Sequence, residues 1–183
     1  MDFRNTTAMD SNRLRAMFVR HTEPYAHDRL VVRVRYSRGA DFSGTCFHKD
    51  GRIFVNIGRH TSYPYAMATH LAKACSNRTH WWRELFTIHL ADAYQLALFV
   101  YLHELYHYLV YAARRNPRRK EAMCDRFAAR VLVDSYGCAV TDERRFPVER
   151  RRWDFRDLHA FVSAAPRAAR AGAADVPVRI LGA

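Results

Sequence analysis

Apolar and polar positions alternate most clearly in LVVRVRY, residues 30–36. Leu30, Val32, Val34 and Tyr36 share one face, and Arg33 and Arg35 lie on the other. A period of two predicts a strand with one buried face. In Gly44 to Gly58, GTCFHKDGRIFVNIG, two β-prone runs flank Asp50-Gly51, a dipeptide suited to the positive φ angles of a tight turn, so a hairpin is expected. Tyr65 to Ser76 reads as a short helix and Asn77-Arg78-Thr79 as a break. From Trp82 to Ala113 apolar residues fall on nearly every side at helical spacing, which predicts one long central helix or two in series. Asn116-Pro117 then supplies a capping side chain and a first-turn proline, so a second helix is expected from Pro117 to about Asp134, closed by Gly137. A basic segment, Arg144 to Arg152, and a short amphipathic piece, Trp153 to Val162, follow. The expected fold class is α+β, a small antiparallel sheet packed on two helices. Residues 1–24 form an N-terminal arm or helix, 25–163 a single domain, and the Ala/Arg-rich stretch 164–183 a loose tail.

Composition adds two constraints. A chain of 183 residues, 49% hydrophobic and 26% charged, can bury one core and is not disordered in its middle. Its net charge of +12 predicts attraction to polyanions such as nucleic acid, yet lysine occurs only at 49, 73 and 120. So strong a preference for arginine has two readings, a GC-rich genome or contact with phosphate, and composition does not choose between them. Cys46, Cys75, Cys124 and Cys138 form no CxxC pair and read as reduced thiols. The first twenty residues lack an uninterrupted apolar core and a small-residue cleavage site, so a cytoplasmic location is expected. The most apolar stretch, Tyr94 to Ala113, would place His103, Glu104 and His107 near the middle of a bilayer, which argues against a membrane span.

Those three residues begin the chemistry. In YLHELYHYLVYAARRNPRRKEAMCDRF, Tyr101 to Phe127, a helix sets His103 and His107 one turn apart on one face with Glu104 beside them. Both imidazoles can then hold one Zn²⁺, while Glu104 addresses a water without ligating the metal. A catalytic zinc needs a third protein ligand. From His107 to Ala113 the helix climbs ~9 Å at 1.5 Å per residue, and Pro117 to Glu121 descends ~6 Å if antiparallel. Glu121 then lies nearly level with His107, and Asp125, one turn on, beside His103. Glu121 is the expected third ligand and Asp125 the acceptor of a ligating histidine's free ring N–H. The opposite assignment, Asp125 as ligand and Glu121 as partner of Arg118, Arg119 and Lys120, stays open, as does a pair of core histidines with no metal.

His103-Glu104-Leu105-Tyr106-His107 followed by Glu121-x-x-x-Asp125 resembles the gluzincin branch of the zincin metallopeptidases, which carry HExxH with a downstream ExxxD. The hairpin Gly44-Thr45-Cys46 to Asp50-Gly51-Arg52-Ile53-Phe54-Val55-Asn56 and the short gap after HExxH are similar to SprT-like (Spartan) proteases, although the third ligand there is a histidine and none occurs between His107 and His159. The resemblance implies a zincin-like domain with one zinc on His103, His107 and Glu121. It also implies Glu104 as general base, Asp125 behind the ligands, and hydrolysis of a peptide or protein by a zinc-activated water. Zincins bind peptide along an exposed sheet edge, for which Ile53, Phe54, Val55 and Asn56 are the candidates. Tyr136, His159 and the arginines near Arg150 are candidates for stabilising the oxyanion. The SprT likeness also implies nucleic acid as a partner through the arginine-rich loops Arg114 to Lys120 and Arg144 to Arg152. A structural zinc without turnover is the remaining alternative.

Overall fold

The computed structural model describes residues 1–25 and 29–163; the expected tail, 164–183, lies outside them. The architecture is mixed α+β. In place of the small antiparallel sheet expected, the main sheet is mixed: four strands in the order β1 (Asp2–Asn5), β2 (Val31–Tyr36), β4 (Arg52–Ile57), β3 (Phe42–Phe47), with β1, β2 and β4 parallel, because β1 and β2 are joined through α1, and only β3 antiparallel to β4. Leu30, Val32 and Val34 are buried together with Ile53 and Val55, as the alternation at 30–36 requires. The β3–β4 hairpin closes through a single 3₁₀ turn at His48–Asp50, with Gly51 in the left-handed region at φ 60°. A β-carbon at Gly51 would also meet the Arg29 carbonyl oxygen at 2.4 Å, so glycine serves both conformation and space there.

The sheet packs on a central helix, α2, Ala93–Ala112, which touches β3, β4 and three further helices: α1 (Ser11–Thr22), α3 (Glu121–Tyr136) and α4 (Leu158–Ser163). Neighbours on several sides explain why α2 is apolar nearly all round. Leu14 and Phe18 of α1 join the core, Phe18 stacking on Tyr101 at 4.1 Å. Asp92 caps α2 by accepting the Gln95 backbone N–H at 2.9 Å, and the Gln95 side chain accepts that of Ala91 at 2.7 Å.

Three expectations fail locally. The helix expected at 65–76 is instead β5 (Tyr65–Thr69) followed by β6 (Ala74–Ser76). β5 pairs antiparallel with β8 (Phe86–Leu90), which pairs with β9 (Val140–Thr141), while β6 pairs with β7 (Trp81–Arg83) as a separate ribbon. The helix expected from Trp82 begins only at Ala93, because β7 and β8 occupy its first part; Phe86, Ile88 and Leu90 are buried in strand alternation. The second helix starts at Glu121, not Pro117. Asn116 Oδ1 accepts the Arg118 N–H at 2.9 Å in a local turn, and Arg119 adopts φ 56°, which no helix continues through. Gly137 ends α3 as expected, left-handed at φ 67°.

Candidate metal centre

His103, Glu104 and His107 lie on the middle of α2, and Glu121, Cys124 and Asp125 on the first two turns of α3. The two helices pack together, and the loop between them fixes their register: His107 donates its Nδ1–H to the Pro117 carbonyl at 3.1 Å. His103 donates its Nδ1–H to Asp125 Oδ1 at 2.8 Å. With both Nδ1 atoms engaged, each ring has its Nε2 left, and both Nε2 atoms approach one carboxylate. Glu121 Oε2 is 3.1 Å from His103 Nε2, and Oε1 is 3.4 Å from His107 Nε2. Glu121 is 54% exposed but reaches inward to the ring pair.

Cys124 belongs to the same constellation. Its sulfur and ligand atoms of His103 and His107 all lie within 4.8 Å of one another, so these three residues could hold a metal ion. Its thiol is fully buried, and burial, with Glu121 and Asp125 adding to it, pushes its pKa far up. It is therefore protonated unless a cation displaces the proton.

The charges around the rings are uneven. Burial opposes a positive His103, but hydrogen bonds to Asp125 and Glu121 outweigh it and raise its pKa to about 10. Burial lowers that of His107, and the neighbouring His103 lowers it further. One positive charge thus sits between two carboxylates where a metal cation would also be favoured. Burial raises Glu104 to about 7; His103 opposes the shift and Glu121 adds to it.

A cavity of about 210 Å³ opens over these groups. Phe42 and Gly44 of β3, Met67 of β5 and Phe99 of α2 form part of its wall, and His103, Glu104, Glu121 and Asp125 its polar part. One further polar residue lines it, His70, just after β5. Asp125 Oδ2 accepts the His70 backbone N–H at 2.7 Å and its ring Nδ1–H at 3.2 Å.

Three sequence expectations do not reach this site. Ile53, Phe54, Val55 and Asn56 belong to β4, which lies between β2 and β3; the strands beside the cavity with an edge free among the described residues are β3 and β5. Tyr136 pairs with His21 across 3.2 Å, and His159 with Ser163 across 3.3 Å; neither lines the cavity. Arg150 is held by Asp134 and Asp154. Sequence reasoning missed Cys124 and His70, and also His48, whose ring centroid lies 6.2 Å from that of His107. Cys124 had a usable signal in its i+3 spacing from Glu121, whereas nothing near His70 announced a site. No described helix is long and apolar enough to cross a membrane. Comparison with known proteins finds no matching family model, no matching curated protein and no matching solved structure.

Proposed function

We propose that this chain is a zinc-dependent metallopeptidase of gluzincin type, with His103, His107 and Glu121 as ligands. The observation that carries the reading is the convergence of both Nε2 atoms on the Glu121 carboxylate, at 3.1 and 3.4 Å, beside a buried Glu104 in one cavity. Two imidazoles and a carboxylate form a donor set suited to zinc with a position left for a reactant. Zinc held there supplies Lewis acidity, acidifying water from a pKa of 15.7 towards ~7 and polarising a carbonyl.

The chain's own residues do the rest. Asp125 holds the His103 ring by its Nδ1–H and keeps Nε2 directed at the ligand position. Glu104, lining the cavity beside the ligand position, is placed to take the proton of the attacking water at its carboxylate and pass it to the departing amine. The open edge of β3 offers backbone N–H and C=O groups to an extended peptide, and Phe42, Met67 and Phe99 offer apolar surface to one of its side chains.

A second reading is favoured by Cys124. If its sulfur completes the coordination with His103, His107 and Glu121, the site is closed, and zinc is a structural staple without turnover. Zinc content and cleavage of an internally quenched peptide mixture separate the two. The peptidase reading expects one zinc per chain in wild type, Glu104→Gln and Cys124→Ser, its loss in His107→Ala and Glu121→Ala, and cleavage abolished in Glu104→Gln alone among the zinc-loaded forms. Loss of zinc in Cys124→Ser, with no cleavage by wild type, establishes the staple instead.

Nucleic acid remains a proposed partner on narrower ground. Arg150, Arg151 and Arg152 are paired with Asp134, Asp154, Glu149 and Glu84. Arg114, Arg118 and Arg119, on the loop between α2 and α3, are exposed, and this loop is the better phosphate contact.

A further inference from the structure

Peptide hydrolysis places a negative charge on the former carbonyl oxygen, and a site that stabilises it needs a donor aimed at that oxygen. The cavity wall narrows the choice, because among the described residues, apart from the metal-site residues and Asp125, its only polar side chain is His70.

Three contacts hold His70 in place. The buried Asp125 takes its backbone N–H and its ring Nδ1–H on Oδ2, and takes the His103 Nδ1–H on Oδ1. Arg83 donates to the His70 carbonyl at 3.0 Å. The next two carbonyls, of Leu71 and Ala72, accept from the buried Arg126 at 2.9 and 3.3 Å. One carboxylate therefore orients both the His103 ring and the His70 ring. The His70 side chain is 63% exposed, and its Nε2 has no hydrogen-bond partner among the described residues.

We infer that His70 is a catalytic residue that donates its ring Nε2–H to the tetrahedral oxyanion, an assignment that rests on the peptidase reading. In the balanced step, the water oxygen bonds to the carbonyl carbon as Glu104 takes one of its protons. The carbonyl π pair moves onto oxygen, where it meets the Nε2–H. On collapse that pair returns, the C–N bond breaks, and the amine leaves with the proton that Glu104 carried; His70 ends as it began. The hydrogen bond to Asp125 raises the pKa of His70 while partial burial opposes it; Glu121 adds to the rise and Arg83 opposes it, and the net shift is upward.

The test uses the full zinc-loaded chain, a quenched peptide chosen from those that wild type cleaves, and the variants His70→Gln, His70→Lys and Glu104→Gln. His70→Gln is expected to lower kcat about 10²–10³-fold with KM changed less than about threefold, zinc content and Tm unchanged, and partial recovery in His70→Lys. In the metal-free protein, NMR is expected to find the His70 ring titrating above its ordinary value of about 6.5. Cleavage by wild type with an unchanged kcat in His70→Gln, a loss confined to KM, or a ring titrating below that value each overturns the assignment alone. No cleavage by wild type of any peptide in the mixture overturns the peptidase reading and this inference with it.

Discussion

Gly44 faces Glu104 so closely that a β-carbon there would lie 2.3 Å from Oε1. The clash falls on Cγ, Cδ and Oε1 of the Glu104 side chain and on no backbone atom, so Gly44→Ala should turn that side chain aside while leaving the strand in place. A base displaced by about 1 Å loses on the order of 10²-fold in rate. On the peptidase reading, Gly44→Ala is thus expected to keep its zinc and a Tm close to wild type while kcat falls by about that factor; a wild-type kcat would show that Glu104 acts from another position. At this scale the sequence was most legible where helix geometry alone sets distances. Residues 103, 107, 121 and 125 could be brought together by rise per residue, and they lie together. The arithmetic placed Glu121 level with His107, whereas it bridges both rings, because the loop spends Pro117 to Lys120 outside the helix. His70 was illegible for a physical reason: a residue just past a strand reaches a site only through the pairing of that strand, here β5 on β8.

The element on which the centre depends most is α3, which carries Glu121, Cys124 and Asp125 on turns that no side chain caps. Its second half is anchored instead. Arg130 and Arg150 both pair with the largely buried Asp154, and Arg150 also with Asp134. Burial pushes the Asp154 carboxyl up, but the two guanidinium groups outweigh it and leave its pKa below the ordinary value. A carboxyl lowered in the folded state adds stability that is present above its unfolded value, near pH 4, and is lost as pH falls through the folded one. Asp154→Asn is therefore expected to cost about 1–3 kcal/mol at neutral pH, a fall in Tm of roughly 3–9 °C, and the gap should close on acidification below pH ~4. A gap independent of pH would mean that the carboxylate charge is not what anchors the helix. Elements were legible where the pattern had one period. Residues 30–36 and the Asp50-Gly51 hairpin read correctly, but Tyr65 to Thr69 contains alanines that suit a helix and an inside–outside alternation that only its partner strand reveals. Phe86 to Leu90 was absorbed into the apolar run of α2, although Asp92 between them is the cap that separates the two.

Across the whole molecule, the charge of +12 is unevenly available. Ion pairs occupy the 150–152 arginines, while Arg114, Arg118 and Arg119 stand exposed on the loop that joins the two metal-site helices. The β6–β7 ribbon adds exposed Trp81 and Trp82, surfaces on which unpaired bases can stack. Measured against single-stranded DNA over a salt series, the nucleic-acid proposal expects affinity that falls steeply with salt and survives Glu104→Gln. Replacing the three loop arginines by serine should flatten the log–log slope by about two. Absence of binding at about 150 mM salt would remove nucleic acid as a partner and leave the arginine content to genome composition.

On the peptidase reading, the rim of β3, unpaired among the described residues, also bears on which bonds could be cut. A segment laid along it must surrender its own backbone partners first, so a helix or an interior strand of a well-folded target has nothing to offer. Only frayed ends, long loops or already denatured chains can comply. Selectivity would then follow the looseness of a target more than the letters of its sequence, and tightly folded neighbours would pass uncut.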